Sequence, residues 1–213
     1  MTRDEVLANA KAIVEATHLP VSADLESCYA SSAEGCAETI RLAAATGLVG
    51  GSIEDTTRNP SAPIRDFSEA VDRVAATAEA ANDLPFLLTA RAENFLWGCP
   101  DLDDTIRRLQ AFSAAGAHVL YAPGLPSLEA IRTVCTSVDK PVNVVMGLKG
   151  PTWSVAELSA AGVKRISVGG SFARAALGAL VRAAREVKET GTFSYAADAI
   201  SHADASAFMS SEG

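Results

Sequence analysis

Two acids separated by one residue, Asp24 and Glu26, stand where the short apolar run PVSAD (20–24) gives way to polar chain. The next such run, LVGGSIED (48–55), closes on Glu54 and Asp55. Residues two apart on an extended strand project to the same side, so Asp24 and Glu26 can face one spot. Carboxylates gathered on neighbouring strands repel one another unless a cation lies between them. Hard oxygen donors suit Mg²⁺, which keeps several waters and often takes only one or two carboxylates directly. Asp24, Glu26 and Glu54 are therefore the candidate metal ligands, and Mg²⁺ is the candidate cofactor. The competing reading is that these acids cap following helices or meet solvent. Taken as a set at successive strand ends, they favour a site.

Arg91 ends the run PFLLTAR (85–91). An arginine there is costly to bury without a partner. It could pair with Glu54 or Glu93, or offer its planar fork to a substrate carboxylate or phosphonate; both can hold at once. Asn143 lies in a further run, PVNVVMG (141–147). Cys28 follows the acid pair directly, but no nearby histidine would activate it, so an inert thiol is expected. His118 opens a strand and reads as a packed or rim histidine. The stretch KRISVGGSF could turn backbone N–H groups toward an anion, or its glycines could serve tight packing.

These residues need elements to hold them. Six short β-branched runs, at 20–24, 48–55, 85–91, 117–124, 141–147 and 164–170, alternate with amphipathic segments at 32–46, 66–82, 102–115, 127–138, 154–161 and 171–189. Strand and helix in alternation mean an α/β fold on a parallel sheet. A (β/α)₈ barrel and an open doubly wound sheet both fit. No GxGxxG or GxxxxGK[ST] motif supports the open sheet. Polar residues at the C-terminal ends of separate runs support the barrel, whose active sites form at that face. The runs number six rather than eight, and the deficit falls at the N-terminus. The polar segment TTRNPSAPIRD, after the second run, is long enough for a lid.

The chain has 213 residues, 48 % of them hydrophobic, and a net charge of −8. Without a Lys/Arg run, that charge argues against nucleic acid or an anionic membrane as partner. An anionic substrate remains possible where a divalent metal supplies positive charge. The four cysteines form no CxxC pair and no zinc spacing, which suits reduced thiols in a cytoplasmic protein. The N-terminus reads as an amphipathic helix and not a signal peptide. No apolar run approaches the ~20 residues of a membrane span.

SADLESCYA resembles the D-x-D-x-G-[YF]-G segment of the isocitrate lyase and phosphoenolpyruvate mutase superfamily. GLVGGSIEDT resembles its G-x-x-G-x-x-x-E-D strand, and LLTARAENF its A-R-T-D strand. GAHVLYAPGL, PVNVVMG and AELSAAGVKRISVGGSFARAAL continue the match, in order, over roughly residues 2 to 190. The resemblance implies a TIM-type (β/α)₈ barrel and Mg²⁺-dependent lyase, mutase or hydrolase chemistry. Such enzymes make or break a C–C or P–C bond of a small α-keto or 2-hydroxy acid through an enolate. It further implies Asp24 as the metal ligand, with Glu26 and Glu54 acting through water. Arg91 would hold the substrate's carboxylate or phosphonate, and Asn143 would contact substrate. The family implies a homo-oligomer, dimer or tetramer, with an exchanged last helix.

Three departures qualify the match. The family's opening two strand units have no counterpart here. The K-[KR]-C-G-H lid of the lyases is replaced by DTTRNPSAPIRD, which argues against isocitrate or methylisocitrate cleavage by that mechanism. Cys28 and Ala30 stand where the family has glycine. The expected organisation is a barrel over 1–190 and a tail over 191–213, docked or exchanged. The alternative to an enzyme is a shortened, inactive member acting as scaffold or oligomer partner.

Overall fold

The computed structural model describes residues 1–147 and 150–209. The chain falls into two compact units, Met1–Ser167 and Val168–Gly213. The first unit alternates helix and strand throughout. Its strands are β1 (Ser22–Asp24), β2 (Gly50–Glu54), β3 (Leu87–Arg91), β4 (Val119–Tyr121), β5 (Val142–Val145) and β6 (Arg165–Ser167). Its helices are α1 (Arg3–Glu15), α2 (Ala33–Ala45), α3 (Phe67–Ala81), α4 (Leu102–Ala114), α5 (Leu128–Ser137) and α6 (Val155–Ala160). The second unit holds α7 (Ser171–Thr190), a short 3₁₀ helix (Ser194–Asp198) and α8 (His202–Ala207). Residues 210–213 of the expected tail lie outside the described residues. Among the described residues no helix is long and apolar enough to cross a membrane.

All six expected runs form strands, and every pairing is parallel, in the order β1-β2-β3-β4-β5-β6. The sheet is a curled half-barrel and not a closed eight-stranded ring, since β1 and β6 each pair on one side only. The curl is tight enough for Arg165 Nη2 on β6 to reach Ser22 Oγ on β1, at 3.1 Å.

Local chemistry sets the helix ends. Thr2 and Glu5 form a capping box on α1, as do Ser154 and Glu157 on α6. Ser32, Asp101 and Ser127 accept from the third backbone N–H of α2, α4 and α5. Gly116 turns the chain from α4 into β4 at φ +105°, and a Cβ there would meet Ala78 Cβ at 2.9 Å. Glycine serves both needs at once.

The core lies between the sheet and its helices. Ile40 on α2, Leu88 on β3, Leu109 and Phe112 on α4, and Ile131 on α5 are fully buried in it. At Gly51 of β2 a Cβ would lie 2.7 Å from Leu25 Cδ1 and 2.9 Å from Phe86 Cζ, so this glycine lets both side chains close onto the strand.

Candidate active site at the strand ends

Register lines up the polar residues. Glu54 of β2 is level with Arg91 of β3, Arg91 with Tyr121 of β4, and Tyr121 with Asn143 of β5. Register partners share a face, so these four form one row across four strands, at the last residue of β2, β3 and β4 and the second of β5. Asp24 is level with Ser52, two residues before Glu54 on the same face.

Arg91 is the hub. Its Nη1 lies 2.5 Å from Asp24 Oδ2 and 2.9 Å from Glu54 Oε1, and its Nε lies 2.8 Å from Glu93 Oε1. The guanidinium also sits over the Tyr121 ring, 4.9 Å from its centroid. Three carboxyl groups surround the one guanidinium. Burial pushes the Glu54 carboxyl up to about 7; Arg91 opposes this, while Glu93 and Asp24 add to it. Burial likewise raises Glu93. Burial acts to lower the Arg91 pKa, but the carboxylates of Glu93, Asp24 and Glu54 outweigh it.

Asp24 opens to solvent, with 57 % of its side chain exposed, whereas the Glu93 side chain is closed off at 1 %. Asp24 Oδ1 accepts from the Glu26 N–H at 3.0 Å and from Ser52 Oγ at 3.1 Å. Asn143 donates through Nδ2 to Ser167 Oγ at 3.0 Å. Two buried acceptors near the row, Asn143 Oδ1 and Glu93 Oε2, have no hydrogen-bond partner among the described residues.

Glu26 stands apart from this cluster. β1 ends at Asp24, and Glu26 takes φ 53°, so strand alternation no longer sets its direction. Its Oε2 lies 2.7 Å from Arg58 Nη2. Burial, then the Glu26 carboxylate, push the neighbouring Tyr29 phenol up to about 12. Arg58 sits in the expected lid segment. A Thr56–Ile64 antiparallel bridge and hydrogen bonds from Thr57 N to Pro63 O and from Arg65 N to Asp55 O fold that segment into a flap.

Two buried arginines brace the site from outside. Arg73 of α3 donates to the carbonyls of Ser31, Ser27 and Ala30 at 3.0, 2.8 and 3.0 Å. It thus fixes the loop in which Glu26, Cys28 and Tyr29 all have positive φ. Arg108 of α4 donates to Asp55 Oδ2, Asp104 Oδ2 and the Arg65 carbonyl at 3.2, 2.7 and 3.1 Å. Sequence reasoning missed Arg58, Arg73 and Arg108 as parts of the site. For Arg58 the signal was its place in the lid segment; Arg73 and Arg108 read only as ordinary helix residues. His118 is satisfied structurally, its Nδ1 accepting the Leu88 N–H at 3.1 Å, and Cys28 is fully buried.

The expected ligand trio of Asp24, Glu26 and Glu54 does not converge, because Glu26 is held by Arg58. Among the described residues no three His, Cys, Asp or Glu side chains are placed to hold a metal by themselves. Donor type nonetheless fits a largely hydrated Mg²⁺: an open carboxylate at Asp24, a second at Glu54, and more carboxyl groups than the one guanidinium can pair.

A family model described as phosphoenolpyruvate phosphomutase matches residues 1–188. The chain belongs to that family. It is 50 % identical to a Burkholderia cenocepacia J2315 protein provisionally assigned as a lyase/mutase. The TM-score is 0.96, over 100 % of this chain and 77 % of that one. The phosphoenolpyruvate phosphomutase of Streptomyces platensis subsp. rosaceus superposes with a TM-score of 0.82 at 27 % identity, over 97 % of this chain and 74 % of that one. The 2-methylisocitrate lyase of Escherichia coli (strain K12) is 29 % identical over 170 residues, which are 76 % of this chain and 57 % of that protein. The chain thus spans little more than half the length of that relative. Within the family frame, the row Glu54–Arg91–Tyr121–Asn143 lies at the strand ends where barrel active sites form.

Proposed function

We propose that this family member is a Mg²⁺-dependent enzyme acting on a small keto or 2-hydroxy acid, or its phosphonate counterpart, by making or breaking a C–C or P–C bond through an enolate. The observation that carries this is the cluster of Asp24, Glu54 and Glu93, three carboxyl groups around the one guanidinium of Arg91, at the strand ends. Asp24 and Glu54 would hold the cation, and Glu26 only on release from Arg58. A bound Mg²⁺ supplies positive charge beside the oxygen on which the enolate's negative charge develops.

The chain's own residues do the rest. Arg91 Nη2 makes no hydrogen bond among the described residues and is the donor left for a substrate carboxylate or phosphonate. Glu93 and the Tyr121 ring fix the plane of that guanidinium. Glu54 pairs with Arg91 Nη1 at 2.9 Å and would hold the cation as an ionised carboxylate. Asn143 contributes its unpartnered Oδ1 as an acceptor. The flap lacks the Cys and His of the lyase lid, which favours lyase, hydrolase or phosphonomutase chemistry other than methylisocitrate cleavage by that route. The lyase and phosphomutase relatives favour this reading over a scaffold role.

Thermal shift with Mg²⁺ and oxalate tests the reading. Wild type is expected to gain stability only when both are present, and Asp24→Ala to lose that gain. A folded wild-type protein with no shift would sink the enzyme reading.

A further inference from the structure

We infer that Cys28 and Cys36 form a redox pair: a hydroperoxide oxidises Cys36, and Cys28 then closes a disulfide that ties the loop after β1 to α2. The pair stands apart from the strand-end cluster and needs no metal.

Placement brings the two residues together. Cys36 lies near the start of α2, and Cys28 eight residues earlier in the loop. Cys36 Sγ donates to the carbonyl of Ser27, the residue before Cys28, at 3.9 Å. Thr39, three residues further along the same helix face, donates through Oγ1 to the Cys28 carbonyl at 2.8 Å. Cys28 is thus held against the turn of α2 that carries Cys36. Both thiols are reduced and fully buried. The other two cysteines sit elsewhere: Cys99 donates to the Trp97 carbonyl, and Cys135 of α5 packs on Gly162.

An arginine stands where an activating histidine is missing. Arg73 is buried, spends its Nη1 and Nη2 on carbonyls, and leaves Nε without a hydrogen bond among the described residues. One of those carbonyls is that of Ser27, the same oxygen that Cys36 Sγ reaches. A buried guanidinium with no carboxylate on it favours an anion beside it, and a Cys36 thiolate supplies one. A hydrogen bond from the Cys28 thiol lowers the Cys36 thiol; burial opposes this, and Arg73 and Arg65 outweigh burial, so Cys36 lies below the usual thiol range. The thiolate is the form that attacks an oxidant.

The loop itself gives access. Glu26, Cys28 and Tyr29 hold φ 53°, 59° and 52°, a region costly for residues other than glycine. Strain in the closed loop eases the brief local openings that admit a small oxidant. In the first step the Cys36 thiolate attacks one peroxide oxygen, the O–O bond breaks, and the departing oxygen takes a proton and leaves as water. Cys36 is then a sulfenic acid. In the second step the Cys28 sulfur attacks the Cys36 sulfur, the S–O bond breaks, and water leaves with the Cys28 proton. Two thiols lose two hydrogens, and one hydrogen peroxide becomes two waters.

The test is hydrogen peroxide on the folded full chain, then alkylation of the remaining thiols and peptide mapping by mass spectrometry. Wild type is expected to yield a peptide linking Cys28 to Cys36, reversed by dithiothreitol, with Cys99 and Cys135 oxidised about tenfold less. Cys28→Gly, which suits the positive φ, should stop at a Cys36 sulfenic acid that dimedone traps. Cys36→Ser should leave Cys28 open to alkylation. Absence of the Cys28–Cys36 link in wild type would overturn the pair, and that measurement needs no variant to fold. Oxidation of Cys28 at an undiminished rate in Cys36→Ser would overturn it too.

Discussion

Asp55 and Glu93 are tied across the ends of two strands: Asp55 Oδ1 accepts the Glu93 backbone N–H at 2.8 Å. Glu93 in turn holds Arg91 Nε, so the orientation of the central guanidinium depends on a carboxylate that never touches it. The other oxygen of Asp55 belongs to Arg108, which also grips the Arg65 carbonyl at the far root of the flap.

Arg108→Ala should therefore strand a buried carboxylate. We expect a loss of about 3 kcal/mol in urea denaturation. The double variant Asp55→Ala, Arg108→Ala should cost clearly less than the two single losses added. Strict additivity would show that the pair is not coupled.

Acid stability should carry the mark of Asp104. Burial pushes its carboxyl up, but hydrogen bonds from Arg108, Arg107 and Asn94 outweigh burial and hold it at about 2. A carboxyl lowered in the folded state stabilises the fold above its unfolded pKa, and that contribution fades as pH falls toward the folded value. Solvent screening trims the effect, so wild type should exceed Asp104→Asn by about 1 kcal/mol near neutral pH, with the margin shrinking below roughly pH 4. Urea midpoints across a pH series measure this; a margin constant with pH would refute it.

Cys28 occupies φ 59° while fully buried, in a backbone region that glycine adopts most readily. Cys28→Gly relieves roughly 1 kcal/mol of backbone strain and gives up a similar amount of burial. The net change should stay under about 1 kcal/mol. Cys28→Val puts a β-branched residue at positive φ and should cost about 2 kcal/mol or more. Equal effects of the two substitutions in denaturant melts would contradict a left-handed backbone here.

The strands were legible because each run is apolar, bounded by turn residues and followed by a capped helix. The gathering of Asp24, Glu54, Arg91 and Asn143 on one side of the sheet was legible for a related reason, apart from any role they play. A polar residue at the end of a parallel strand has one direction to face, and register then carries it into line with its neighbours. Glu26 was misjudged because the same-side rule holds only while the chain stays extended, and β1 stops at Asp24. Arg58, Arg73 and Arg108 were hidden because their partners lie 32, 42 to 46 and 43 to 53 residues away in sequence, apart from the local Asp104 contact of Arg108. No local pattern encodes such pairings.

The bond from Arg165 to Ser22 bears on how this sheet is made. Each strand pairs with the one that precedes or follows it in sequence, so the sheet can grow outward one unit at a time by short-range closures. The Arg165–Ser22 contact spans 143 residues and needs every intervening strand to be docked. It is therefore expected to form late in assembly, and a spectroscopic pair placed at those two positions would time the completion of the fold rather than its onset.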